Sequence, residues 1–297
     1  METTKRTTES SPSERIEPSP PFARRPVAET VKIQPVQIMS GLEKKVILIT
    51  GASSGIGAGT AEEFAKKGSW LSLCGRNAQS LADVAKKCHE AGVPQDKILQ
   101  VVGDLSQEAD TIAAVEKTVA HFGRLDVLVN SAGILTTGGL EDLSLEDYDQ
   151  QMNINTRAVL HIMKLSLPHL LKTKGNIVNV SSITGIRAFP GVVAYNMSKA
   201  ALDHLTRSVA LEVASRGVRV NAVNPGVIVT DIHRRAGMDD EKYKAFLEHG
   251  KTTHAMGRVG EVKEVAKPIV FLASDDASFI TGQMLAIDGG RGVMCPR

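Results

Sequence analysis

Tyr195 and Lys199 stand four residues apart at the end of the segment 176–199, NIVNVSSITGIRAFPGVVAYNMSK. On a helix that spacing puts both side chains on one face, with the ammonium beside the phenol. A free phenol titrates near 10, and a neighbouring cation favours its ionised form, which moves it toward the working range of an acid/base catalyst. Ser182, at the end of an apolar run, is placed to hydrogen-bond the same substrate oxygen as the Tyr195 hydroxyl. Taken alone, Tyr-x-x-x-Lys is also the pattern of an ordinary helix surface, and its weight comes from the rest of the chain.

A second candidate is the stretch 50–59, TGASSGIGAG, which directly follows the apolar run Val46–Ile49. Gly51, Gly55 and Gly57 fall between a strand and a helix, where backbone N–H groups and the positive end of the helix dipole meet a pyrophosphate. The glycines by themselves fit a simple turn equally well. A nucleoside-triphosphate loop is disfavoured, because Gly57 is followed by Ala58 and Gly59 rather than by Lys and Ser or Thr. Gly59 falls inside the following helix, where it costs about 1 kcal/mol relative to Ala, and close helix-to-strand packing is the expected reason. Further on, Leu73–Cys74–Gly75–Arg76 ends a second apolar run. An acid there would accept from the ribose 2′-hydroxyl of NAD, whereas a neutral residue followed by Arg suits the 2′-phosphate of NADP; the expected cofactor is therefore NADP(H) in preference to NAD(H). A surface arginine is the plainer alternative.

These groups need a scaffold that gathers them. From Lys44 onward, strand-length apolar runs at 46–50, 70–74, 98–102, 127–130, 177–181, 218–223 and 284–287 alternate with helical stretches at 56–67, 78–90, 107–122, 147–172, 196–215 and 261–273. The alternation predicts an α/β, Rossmann-type, doubly wound fold, with a seven-stranded, mostly parallel sheet and helices on both faces. Polar or glycine-rich segments follow the first six runs in turn, which predicts a long ligand lying across the carboxyl ends of the strands.

Residues 1–40 differ from the rest. They carry six of the twelve prolines and many Ser, Thr and Glu, and they are expected to form a disordered extension. Residues 41–297 are expected to form one dinucleotide-binding catalytic domain. An organelle-targeting peptide is the alternative for the extension, although Glu2, Glu9, Glu14, Glu17 and Glu29 are unlike such peptides. The 297 residues are 42% hydrophobic and 23% charged with a formal net charge of +2, which excludes a strongly basic nucleic-acid surface and leaves a small-molecule partner. No apolar run approaches the ~18 residues of a membrane span, and an intracellular, cytoplasmic protein is expected. The three cysteines and eight histidines show no metal-ligand spacing, so no metal is expected.

Taken together, the chain from about Lys44 to Gly290 resembles the short-chain dehydrogenase/reductases, in their single-domain branch. The motifs are Thr50-Gly51-x-x-x-Gly55-Ile56-Gly57, Asp104-Leu105, Asn130-Ser131-Ala132-Gly133, Asn155, Ser182, Tyr195-x-x-x-Lys199, Asn221-x-x-x-Pro225-Gly226 and Asp288-Gly289-Gly290. The resemblance implies that Tyr195 is the acid/base, that Lys199 binds the nicotinamide ribose and lowers the tyrosine pKa, that Ser182 positions the carbonyl, and that Asn155 supports a proton-relay water. Asn155 is taken over Asn153 for its distance from Pro168. It implies that Gly51, Ser53, Ser54, Gly55, Ile56 and Gly57 face the pyrophosphate and that Asp104 and Leu105 lie near the adenine. Asn130, Ala132 and Gly133 would support the sheet and line the cofactor; Pro225, Gly226, Val227 and Thr230 would border the nicotinamide. Residues 231–257 would form a substrate lid, with Met238, Tyr243, Phe246, Leu247 and Met256 either touching substrate or packing on the domain. Within the family the chain is similar to 3-oxoacyl-thioester reductases and related carbonyl or sugar reductases, and a homotetramer is implied. Ser131, in place of a second asparagine, and Trp70, opening a strand, depart from the pattern.

Overall fold

A computed structural model describes residues 41–295; the expectation for residues 1–40 lies outside the described residues. Seven strands, β1 (Val46–Thr50), β2 (Trp70–Gly75), β3 (Ile98–Val102), β4 (Val127–Asn130), β5 (Asn176–Val180), β6 (Arg219–Pro225) and β7 (Met284–Ile287), form one sheet in the order β3-β2-β1-β4-β5-β6-β7. Every pairing is parallel. The order reverses beside β1, where β4 rather than β2 lies on its other side, and this opens a crevice at the carboxyl ends.

Alternation along the strands builds two cores. Ile47 and Ile49 of β1 point to one face with Leu71, Leu73, Val129 and Val178, under helices α1 (Gly55–Ala65) and α2 (Ala78–Glu90). Val46 and Leu48 point to the other face with Leu128, Ile177 and Val220, under α3 (Glu108–Phe122) and the long helices described next. Each such side chain contributes about 1.5–3 kcal/mol by leaving water, so a strand apolar on both faces is stable only when both are covered.

The expected helix at 147–172 is divided. It runs as α4 (Leu145–Met152), a π-helical turn at Asn153–Arg157, and α5 (Ala158–Thr173). Helix α6 (Val193–Val213) begins three residues earlier than its pattern suggested, which takes Tyr195 into its first turn. Two helices, α7 (Ile232–Arg235) and α8 (Asp240–Thr253), occupy the lid region. Asp239 caps α8 by accepting from the Lys242 amide at 2.8 Å. Helix α9 (Val262–Ala273) packs against α1. Trp70 stacks on Phe122 with ring centroids 6.0 Å apart, under the Lys97 ammonium, which accounts for an aromatic at the start of β2.

The reason for Gly59 is helix-to-helix packing, not helix-to-strand packing. A Cβ there would stand 2.3 Å from Cγ1 of Val262, the first residue of α9. Two opposed terms decide the effect of filling that space: an overpacking cost of about 1–3 kcal/mol and a helix-propensity gain of about 1 kcal/mol. Gly59→Ala should therefore lower the melting temperature of the otherwise native chain but raise it in a Val262→Ala background. Equal shifts in the two backgrounds would show that Val262 is not the constraint.

Candidate active site

The carboxyl edge of the sheet is level. Thr50 pairs with Cys74 on one side and Asn130 on the other, and Asn130 pairs with Asn179. Side chains bolt these ends together. The amides of Ser131 and Ala132 both donate to Thr50 Oγ1 at 3.1 Å, tying the loop after β4 to the end of β1. Asn130 Nδ2 donates to Asn179 Oδ1 at 2.8 Å, and Asn179 Nδ2 donates to Thr206 Oγ1 of α6 at 2.9 Å. Buried amides of this kind hold only one arrangement, because any shift leaves a donor unmet.

Above this edge opens a cavity of about 1170 Å³. Ser182, Tyr195 and Lys199 line it, as does every residue assigned to the cofactor except Gly57 and Asn130. Those two act from behind the wall. A Cβ on Gly57 would stand 2.3 Å from the Gly51 carbonyl oxygen, so glycine is needed there by the turn itself, and Asn130 is spent on Asn179. Gly51 and Gly55 are the two glycines of this loop with positive φ, at 64° and 54°, and a Cβ on Gly51 would meet the Ala132 backbone at 2.8 Å. The Ser54 side chain makes no cap to α1 and instead accepts from Arg235 Nη1 at 3.0 Å, leaving the first-turn amides of α1 open to the cavity. The loop thus has the glycine turn and the unmet donors that a dinucleotide pyrophosphate requires.

At one end of the cavity Arg76 lies 4.0 Å from Asp104, whose Oδ1 accepts from the Ser106 amide. A Cβ at Gly75 would stand 3.1 Å from Ser53 Oγ, so a side chain there would need Ser53 to give way.

Toward the other end lie the acid/base candidates. Lys199 is buried, and its Nζ donates to the Val180 carbonyl at 2.9 Å and lies 5.6 Å from the centre of the Tyr195 ring. The Ser182 hydroxyl accepts from the Thr184 amide at 3.1 Å, which starts a single 3-10 turn. Asn155 lies in the π-helical turn, fully buried: Oδ1 accepts from the Ile134 amide, and Nδ2 donates to the Ile134 carbonyl at 2.9 Å and to Ser198 Oγ at 3.2 Å. Asn153 faces the other way, toward the Ser106 carbonyl. Extra-residue turns inside helices recur at functional sites, and this one turns Asn155 toward α6.

Burial governs the titration of these groups, which differs from the expectation of a phenol lowered by lysine. It pushes the Tyr195 phenol up to about 12, with the Ser182 hydroxyl acting in the opposite sense. It brings the Lys199 ammonium down to about 8, while the Asp203 carboxylate supports the charge. The lysine lies against the ring and the Val180 carbonyl, and desolvation is the larger influence on both groups. Burial likewise pushes the Cys74 and Cys88 thiols up to about 12, away from reactive thiolate.

Several residues here were not legible in sequence. Buried Asp203 accepts from Asn224 Nδ2 at 2.8 Å, and Asn224 also donates to the Ser182 carbonyl. Gln151 brackets the loop after β4, accepting from the Thr136 amide and donating to the Ile134 carbonyl, both at 2.7 Å. His254 joins the end of α8 to the loop after β6: its Nδ1 donates to the Gly250 carbonyl and its Nε2 accepts from the Val227 amide. Of the lid residues, Met238 and Phe246 line the cavity, while buried Tyr243 donates its hydroxyl to the Thr230 carbonyl and Met256 is exposed. Among the described residues no group of three or more His, Cys, Asp or Glu side chains is placed to hold a metal, and no helix is long and apolar enough to cross a membrane.

A family model described as enoyl-(acyl carrier protein) reductase matches residues 51–291. The chain belongs to the short-chain dehydrogenase/reductase family. It is 39% identical over 250 residues to a 3-oxoacyl-[acyl-carrier-protein] reductase FabG of Thermotoga maritima, covering 84% of this chain and 98% of the relative. It is 40% identical over 248 residues to a glucose 1-dehydrogenase of Gluconobacter oxydans, covering 83% and 91%. A crystal structure of a short-chain dehydrogenase/reductase from Caenorhabditis elegans with cofactor superposes with a TM-score of 0.82 at 35% identity, over 86% of this chain and 97% of that one. The protein is an oxidoreductase of this family acting on carbonyl or alcohol groups, and the family binds a nicotinamide cofactor.

The two buried charged residues of α6, Lys199 and Asp203, set a test in the cofactor-free protein. A carboxylate favours the ammonium form, so replacing it by a neutral amide removes a charge that holds the Lys199 pKa up. Lys199 should titrate near 8 by NMR of its side-chain methylenes, and Asp203→Asn should move that midpoint down. An unchanged or higher midpoint in the variant would count against Asp203 as the counter-charge.

Proposed function

We propose that this family member is an NADP(H)-dependent reductase of ketones or aldehydes in which Tyr195 delivers the proton to the carbonyl oxygen. The observation that carries the reading is the convergence of Ser182, Tyr195 and Lys199 on one cavity whose far end presents Arg76. The Ser182 hydroxyl orients the substrate oxygen and withdraws charge from it. Tyr195 stands beside that oxygen as a neutral phenol, held so by burial, and the neutral form is the one a general acid needs. As the proton leaves, the Lys199 ammonium becomes a counter-charge for the phenolate, in a site where desolvation strengthens the attraction. Asn155, bonded to Ser198 and Ile134, fixes the wall through which a proton returns to Tyr195. A nicotinamide bound in the groove supplies or accepts the hydride. Reduction of a 3-oxoacyl thioester is supported by the likeness to FabG; oxidation of an alcohol with NAD is the alternative and uses the same residues apart from Arg76.

Tyr195→Phe removes the proton donor and leaves the cofactor groove intact. It should bind NADPH with native affinity by fluorescence titration and lose about 10²–10⁴-fold in turnover. Undiminished turnover would sink the assignment, and a wild-type protein that binds NADPH yet oxidises none across a carbonyl panel would point to a non-catalytic sensor.

Cofactor choice is tested at Arg76. Losing a charge-assisted contact to the 2′-phosphate should weaken NADPH by about tenfold or more in Arg76→Ala while leaving NADH affinity where it was. Equal losses for both nucleotides would place Arg76 elsewhere on the cofactor.

A further inference from the structure

The cavity wall holds a cation, Arg291, with no carboxylate in ion-pair contact among the described residues. Arg291 follows the Asp288–Gly289–Gly290 turn after β7, and its main chain is fixed from both sides. Asp288 accepts from the amides of Gly290 at 3.0 Å and Gly292 at 2.5 Å, while Arg187 Nη1 donates to the Gly292 and Met294 carbonyls at 2.7 and 3.2 Å. The guanidinium lies over the Phe189 ring, 4.6 Å from its centre, on the loop that leaves Ser182. Its Nε is buried with no hydrogen-bond partner among the described residues.

The other cations of the cavity wall have places elsewhere. Arg76 lies beside Asp104 at the far end, where the reading above gives it to the cofactor, Lys199 donates to Val180 beside Tyr195, Arg235 donates to Ser54, and Arg187 donates to main-chain carbonyls. Asp288, the carboxylate whose charge reaches Arg291, is spent on the two amides. His233 of α7, which also lines the cavity, is held below the usual imidazole range by burial and by the Arg291 charge. A guanidinium held in a partly dry wall with an unmet donor is costly until an anion meets it, and its planar fork fits a carboxylate or phosphate.

We propose that the carbonyl substrate of this protein carries an anionic group, a carboxylate or a phosphate, and that Arg291 binds it while the carbonyl lies at Ser182 and Tyr195. This rests on the carbonyl-reductase reading of the same site. Phe189 supplies the flat apolar surface that holds the guanidinium in place, and Arg187 holds the segment that carries it.

The test uses matched pairs with NADPH: 4-carboxybenzaldehyde against methyl 4-formylbenzoate, and glyceraldehyde 3-phosphate against glyceraldehyde. Wild-type kcat/KM should favour the charged member of at least one pair by about 10- to 100-fold, and the arm that responds identifies carboxylate or phosphate. Arg291→Gln should erase that preference through KM while leaving the neutral partner within about threefold, and Arg291→Lys should restore part of it. The wild-type ratio is informative even if a variant unfolds. Neutral members reduced as well as charged ones in both pairs, or Arg291→Gln lowering both members equally, would overturn the inference and leave the reductase reading standing. No reaction with any member and no binding of NADPH would overturn both.

Discussion

The site depends on one clamp, between the end of β5 and the first turns of α6. Lys199 Nζ donates to the Val180 carbonyl, Ser181 Oγ donates to the Lys199 carbonyl at 3.3 Å, and Asn224 Nδ2 donates to the Ser182 carbonyl. These bonds set where Tyr195 stands relative to Ser182, because the two residues belong to different elements and keep one spacing only if those elements are locked. The clamp is buried, and each of its groups would be left unmet by a slip of helix against strand.

That clamp in turn needs a sheet whose carboxyl ends are level. The Asn130–Asn179–Thr206 chain and the Thr50 hydroxyl provide the levelling from inside, and the two apolar cores provide it from above and below. Stability and chemistry are therefore not separate layers here. Gly57 and Asn130 illustrate this: both sit in motifs that suggest ligand contact, yet one makes room for the Gly51 carbonyl and the other holds β4 to β5. Asp203 occupies the join, since it supports both the Lys199 charge and, through Asn224, the Ser182 main chain.

The elements were legible because their signals are local. Apolar runs of strand length mark all seven strands within two residues, and the glycine-rich and polar segments mark the edge where ligands lie. The break of the 147–172 helix was not legible, because a π-helical turn has no compositional signature and is held by tertiary bonds from Asn155 to Ile134 and Ser198. Nor was Arg291: an arginine near a C-terminus reads as solvated until the fold lays it over Phe189.

The sequence by itself determined the order of strands and helices, the glycines that form the turn after β1, and the set of side chains able to do acid/base chemistry. Periodicity, backbone freedom and functional-group identity are properties of residues and their near neighbours. Only the tertiary structure decided how those groups are tuned. The Tyr195 phenol is raised and the Lys199 ammonium lowered because both are desolvated by elements distant in the chain, and burial outweighs the Ser182 hydroxyl for the phenol and the Asp203 carboxylate for the ammonium.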